Sequence, residues 1–232
     1  MWKKKNEIVW WSKVEGLPEI QAVDFSNHFL PDWFKKMPGF VPNSEGGEMQ
    51  TAKRCPAILE FLSLGYIVPL WCDIEVEVTE EGYCSWRTPN AEFQCMVHPD
   101  SHYRDHLEND FAINLKLVSP WYVKTPSEVS MIQLPLIYHN YKDFTSMPGI
   151  VRTDVMHDTH IQVLIKKHGR TLLTRGTPLA MFVPIRRETF NTIIRSETKE
   201  DANSRKQSDL VASTKFIGGY REIIKKQEPV VK

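Results

Sequence analysis

The chain has 232 residues with 29 acidic and 29 basic side chains, so its formal net charge is zero. A chain of this length can bury a substantial core, and all-β folds of this size are often single units. Zero net charge argues against a protein held on nucleic acid by bulk charge. The four cysteines form no C-x-x-C pair, which favours small buried side chains over a zinc site.

No apolar run approaches the length that spans a membrane, and the first residues are not followed by the apolar core of a signal peptide. We therefore expect a soluble protein that is not secreted by a signal peptide and has no membrane partner.

The first part of the chain predicts short strands and short helices. Residues 7–11 favour a strand, and residues 57–64 a helix that ends near Gly65. Residues 30–38 favour a short helical turn with Pro31 in its first turn and Pro38 at its end. Residues 38–50 contain three glycines and two prolines, which predicts a loop.

Further strands are predicted from alternation of apolar and polar residues at 73–79, 111–117 and 160–166. In the last of these, Leu164 falls on the polar face. Glycine then predicts a turn at 169, and the apolar run 179–185 is expected to be an edge strand or to end near Pro184. The fold class is therefore mainly β with a few short helices.

Two segments resemble the motifs of the dUTPase-like β-clip family. Residues 149–154 read Gly-Ile-Val-Arg-Thr-Asp where that family has Gly-Val-Ile-Asp-x-Asp, and residues 175–181 read Arg-Gly-Thr-Pro-Leu-Ala-Met where it has Lys-Gly-x-x-Ile-Ala-Gln. The resemblance implies a distorted β-barrel and a nucleoside-phosphate site.

The departures from that family concern its chemistry. Its water-activating carboxylate would fall at Arg152, and a guanidinium cannot accept a proton from water. Its base-stacking aromatic residue would fall at Val155. Its Arg-Ser-Ser phosphate motif has no counterpart in residues 136–140, and its glycine-rich flap is only echoed by residues 216–220. The resemblance therefore implies a retained scaffold and a lost catalytic site.

A second resemblance covers most of the chain. The blocks Trp33-Phe34, 53–56, 64–70, Pro120-Trp121 and 124–126 look like those of a family of proteins from tailed phages and bacteria. This resemblance implies a phage setting, in a virion or the host cytoplasm, and brings no activity with it.

Charged residues of the central region predict a phosphate or ligand site. Its candidate residues are Arg152, Asp154, Lys166 and Arg175, with Lys167, Arg186 and Arg187 adding to a basic cluster. We predict no resident cofactor; a magnesium ion would accompany a bound nucleotide. The alternative is that these side chains only face solvent.

Histidines offer two candidate metal sites. His102 and His106 would share a helix face at i, i+4 spacing. His157, Asp158 and His160 are similar to the facial triad of iron oxygenases, with a third ligand from His139 or His168. The alternatives are a solvated helix and a polar turn.

We expect one β-rich domain over residues 1–196, made of an N-terminal part (1–110) and a β-clip-like part (111–196), followed by a polar extension (197–232). The leading hypothesis is a non-catalytic structural or accessory protein of a tailed phage that assembles with itself or with other virion proteins. The alternatives are a nucleoside-phosphate-binding or hydrolysing enzyme and a histidine-based metal-dependent oxygenase.

Overall fold

The computed structural model describes residues 6–90, 92–99 and 111–214, with side chains as far as residue 210. In these ranges the protein is mainly β with a few short helices, as the sequence predicts. The strands are β1 (Val9–Ser12), β2 (Asp24–Phe25), β3 (Phe40–Pro42), β4 (Glu48–Gln50), β5 (Tyr66–Pro69), β6 (Ile74–Val78), β7 (Cys84–Arg87), β8 (Gln94–Val97), β9 (Ile113–Val118), β10 (Trp121–Lys124), β11 (Val129–Leu134), β12 (Phe144–Ser146), β13 (Gly149–Val151), β14 (Ile161–Ile165), β15 (Gly169–Leu173) and β16 (Pro178–Arg186). The α-helices are α1 (Leu17–Ile20), α2 (Asp32–Lys36), α3 (Pro56–Leu62) and α4 (Lys199–Thr214).

The described chain divides into two units. The larger unit comprises residues 6–36 and 62–187 and contains every strand except β3 and β4. The smaller unit comprises residues 37–61 and 188–214. The single domain predicted to end at residue 196 stays a prediction.

Four antiparallel sheets make up the larger unit. Their strand orders are β13-β11-β16-β5-β2, β12-β14-β9-β8, β15-β6-β7 and β1-β10. Across the described residues these sheets are open, and the strand pairing closes no barrel. Apolar side chains from all four sheets form one buried cluster, so a single core holds the sheets together.

The alternation predicted for β6 is observed. Ile74, Val76 and Val78 are buried, whereas Glu75 and Glu77 between them are partly exposed. One face of this strand therefore contributes to the core and the other carries charge.

Strands β14 and β16 are buried on both faces for part of their length. Leu164, predicted to lie on the polar face, is 3% exposed. Strand β16 pairs with both β11 and β5, so it is an interior strand whose Pro184 lies close to its end. Periodicity alone does not show a second covered face, because that cover comes from remote parts of the chain.

Strands β14 and β15 are consecutive in the chain but belong to different sheets. Strand β14 pairs with β12 and β9, while β15 pairs with β6. The turn at Gly169, with φ of +83°, therefore passes the chain from one sheet to another.

In the smaller unit, the predicted loop at residues 38–50 is instead a β-hairpin of β3 and β4. Its turn is held by the Asn43 side chain, whose Oδ1 accepts hydrogen bonds from the backbone N–H of Glu45 and Gly47 at 3.1 and 2.7 Å. Asn and Gly are turn formers in loops and hairpins alike, which explains the wrong prediction. In the described part of the chain, no helix is both long and apolar enough to cross a membrane.

Candidate functional site

The segment 152–160, which connects β13 to β14, carries most of the candidate residues and is fixed by buried threonines. Thr153 is fully buried, and its Oγ1 lies 2.8 Å from Oγ1 of Thr125. Thr125 donates its own hydroxyl hydrogen to the Val129 carbonyl at 2.7 Å, so Thr153 is the donor between the two hydroxyls. This chain of hydrogen bonds ties the connection to the start of β11.

Thr159 fixes the other end of the connection. Its hydroxyl donates to the carbonyl of Trp121 at 2.6 Å, and Ser119 Oγ lies 3.1 Å away. Thr159 is fully buried, and buried hydroxyls with satisfied hydrogen bonds specify one local arrangement. The connection is therefore anchored to β10 as well as β11.

Asp154 forms an ion pair with Arg187, which follows the last residue of β16. The guanidinium donates to Oδ1 at 3.0 Å and to Oδ2 at 2.5 Å, and the Glu128 backbone N–H donates to Oδ2 at 3.1 Å. Arg187 also donates to Ser130 Oγ at 2.6 Å. The Asp154 side chain is 9% exposed and that of Arg187 27%, so both charged groups are largely shielded from water.

This pairing decides what the Asp154 carboxylate can do. The hydrogen bonds from Arg187, followed by that from Glu128, lower its pKa to about 2. A general base works best when its pKa lies near the operating pH. Asp154 is therefore a structural anion that holds the beginning of the segment after β16, and it is poorly suited to activating water.

The other candidate phosphate ligands lie elsewhere. Lys166 lies beyond the far end of β14, where its Nζ donates to the Tyr141 carbonyl at 3.1 Å. Arg175 precedes β16 and its backbone N–H donates to Asp73 at 2.6 Å, whereas Arg187 follows that strand. Nine strand residues at about 3.3 Å each separate the two ends by about 30 Å. Arg152 alone is close in sequence to Asp154, and it is exposed.

The candidate metal ligands of this segment face different surroundings. His157 donates from Nδ1 to the Thr153 carbonyl at 3.1 Å, and its ring packs edge-on against Trp11. His160 Nε2 and Asp158 Oδ1 are 3.8 Å apart. Burial lowers the pKa of His160, with a further contribution from Lys116, and Asp158 opposes the shift.

His139 and His168, the predicted third ligands, complete no triad among the described residues. His139 lies 2.8 Å from the Phe29 carbonyl through its Nε2, and His168 lies near Glu80. His102 and His106 lie outside the described residues. Within residues 6–90, 92–99 and 111–214, no group of three or more His, Cys, Asp or Glu side chains is arranged to hold a metal ion.

Comparisons with protein-family models and with curated proteins give no match to this chain. The likenesses to the dUTPase-like β-clip family and to tailed-phage proteins therefore stay predictions.

An exposed apolar segment that was not among the predicted sites directly follows Arg187. Residues 188–198, here called the arm, belong to no helix or strand, and three of their side chains are 78%, 80% and 94% exposed: Phe190, Ile193 and Ile194. The signal was present in the sequence as three large apolar residues within five positions. These residues fall outside the predicted extension, which begins at residue 197.

Proposed function

We propose that this protein is a non-catalytic structural or accessory component that assembles with copies of itself or with other proteins of a particle. The observation that carries the proposal is the exposed apolar arm. Single exposed apolar residues are normal on protein surfaces, whereas several close together are typical of an interaction site. The resemblance to tailed-phage proteins suggests a virion as the setting.

The arm leads into a helix whose beginning is firmly capped. The Thr198 hydroxyl accepts a hydrogen bond from the Asp201 backbone N–H at 3.2 Å, and Asp201 Oδ2 accepts one from the Thr198 N–H at 2.9 Å. This reciprocal arrangement is a capping box. It fixes the C-terminal end of the arm to the start of α4.

Arg195 of the arm adds to this junction. Its guanidinium donates two hydrogen bonds to the Asp201 carboxylate, one of them at 3.1 Å from Nη2 to Oδ1. The hydrogen bonds from Arg195 and then Thr198 lower the pKa of Asp201. Ordering a segment before it binds reduces the entropy lost on association, so this junction favours the arm as a binding element.

Helix α4 is itself suited to a solvent-facing position beside such a contact. Its sixteen residues are mostly polar, and Arg205 pairs with Glu197 at 3.0 Å and with Asp209 at 3.6 Å. Such a helix lacks the apolar stripe that packs on a core. Among the described side chains of residues 188–210, the large exposed apolar ones are the three of the arm and Leu210.

The site chemistry supports a role without catalysis. Asp154 is engaged by Arg187, and Arg175 and Lys166 lie at the far ends of strands from it. Hydrolysis of a nucleoside phosphate requires a carboxylate that aligns water, together with groups that neutralise phosphate charge. The described residues do not bring these parts together around Asp154.

Self-association of the full chain tests the proposal. Sedimentation velocity over a range of concentrations is expected to show oligomers for the wild type. Replacing Phe190, Ile193 and Ile194 together with serine is expected to weaken association by at least about a hundredfold, because anchor truncations cost about 2 kcal/mol or more each and 1.4 kcal/mol is tenfold.

The matched control is Tyr83→Ser, which removes a 74% exposed apolar side chain from the turn before β7 and leaves the arm intact. This variant is expected to associate like the wild type. A wild type that is monomeric at every concentration, and that binds no particle protein in a reconstituted mixture, would overturn the proposal.

A further inference from the structure

A pocket in the larger unit offers a receptor for the arm. It lies where β11 begins and β16 ends and has a volume of about 190 Å³. Five of its lining residues are apolar and two are polar: Ile8, Pro126, Val129, Pro184 and Ile185, with Asn6 and Arg186. Water occupies about 30 Å³ per molecule in the liquid. The pocket therefore has room for about six waters or one large apolar side chain, and is too small for a helix.

We propose that this pocket binds Phe190 of a second copy of the chain. Phe190 is 78% exposed, so most of its ring is free to contact another molecule. An aromatic anchor in a small apolar pocket is the usual centre of a protein interface. This inference rests on the proposed self-assembly and names its contact.

The charge of one lining residue fits the same partner. Arg186 lines the pocket and is exposed, and Glu188 precedes Phe190 by two residues in the arm. In an extended segment two residues span about 7 Å, which is within reach of an arginine side chain. With Phe190 seated, Glu188 of one copy therefore lies close enough to pair with Arg186 of the other.

The contact joins two different surfaces, because the arm and the pocket are separate parts of the chain. Two copies that exchange arms give a closed dimer, and copies that pass the arm onward give a ring or a filament. The closed dimer and the ring or filament all depend on the same contact between arm and pocket, so one experiment tests them.

The test uses two full-length variants, each with one site disabled. Phe190→Ser keeps the pocket but loses the anchor, and Ile185→Glu keeps the arm but places a carboxylate in the pocket. Each alone is expected to weaken association by at least about tenfold. An equimolar mixture is expected to form one-to-one complexes, since one intact arm and one intact pocket remain.

Three further measurements keep the result interpretable. Leu172→Glu places the same charge at an exposed apolar position on β15 and is expected to leave association unchanged. Thermal melting checks that Ile185→Glu is folded. Arg186→Glu changes only an exposed side chain, is expected to weaken association, and should be rescued in the double variant Arg186→Glu with Glu188→Arg.

The outcomes separate the two proposals. If the wild type assembles and Phe190→Ser weakens it, while Ile185→Glu and Arg186→Glu have no effect, then the arm binds elsewhere and this inference is wrong. Failure of the mixed variants to form complexes also overturns it. A wild type that never self-associates removes this inference; the proposed function then depends on whether it binds particle proteins.

Discussion

Substitution of Gly65 by alanine is expected to destabilise the larger unit strongly. Gly65 has a φ of +68°, a conformation that L-residues rarely adopt. A Cβ at this position would lie 2.3 Å from the Phe182 carbonyl oxygen and 3.0 Å from the Val183 Cα. These are backbone atoms of β16, which is held between β11 and β5 and cannot move aside without disturbing both pairings.

Gly82 provides a matched control for the size of this effect. Its φ is +85°, but a Cβ there would meet no atom within 4 Å. Gly82→Ala is therefore expected to cost only the left-handed conformation, about 1–2 kcal/mol. Gly65→Ala adds the steric conflict, which is typically worth about 1–3 kcal/mol in a packed interior. The total for Gly65→Ala is about 2–5 kcal/mol.

Urea unfolding followed by tryptophan fluorescence measures the free energy of unfolding of both variants. The values are compared with the same slope m of free energy against urea concentration. Gly65→Ala is expected to be the less stable variant by about 1–3 kcal/mol. Equal losses within about 0.5 kcal/mol, the usual scatter of such comparisons, would show that the close approach of Gly65 to β16 does not exist in solution.

Two further predictions concern the connection between β13 and β14. Because the pKa of Asp154 is lowered from 3.8 to about 2, its pairing with Arg187 stabilises the fold above pH 3.8 and is lost as the pH falls towards 2. Arg187→Gln should therefore be less stable than wild type at pH 7, with a difference that shrinks over that acid range; a difference independent of pH would contradict the pairing. Nucleoside mono-, di- and triphosphates, with or without magnesium, should leave the melting temperature unchanged. A bound nucleotide at 100 times its dissociation constant would raise the free energy of unfolding by about 2.7 kcal/mol. Such a rise would favour the enzyme hypothesis.

The strands were the part of the fold that local sequence predicted well. Residues 73–79 and 160–166 were predicted to be strands and contain β6 and β14. Period-two alternation is a local property, because successive side chains of a strand point to opposite faces whatever the strand pairs with. The hairpin of β3 and β4 was missed because its turn residues are those of any polar loop.

The candidate site was less predictable. Arg152, Lys166 and Arg175 were grouped because they lie near one another in the sequence. The structure places Lys166 and Arg175 at strand ends remote from Arg152, because each residue of a strand advances the chain by about 3.3 Å. Conversely, Asp154 and Arg187 are 33 positions apart and form a direct ion pair.

The sequence by itself determined the alternating strands such as β6 and the turn at Gly169, because each depends on side chains within a few positions. It also determined the balance of charge, which follows from composition alone. Only the tertiary structure decided which strand ends meet, since that depends on the pairing of β16 with β11 and β5. It also decided that the apolar residues of the arm remain exposed while those of β16 are buried. Large apolar residues occur both in the exposed arm and in the buried strand β16. Whether such a residue is buried depends on which distant segments pack over it.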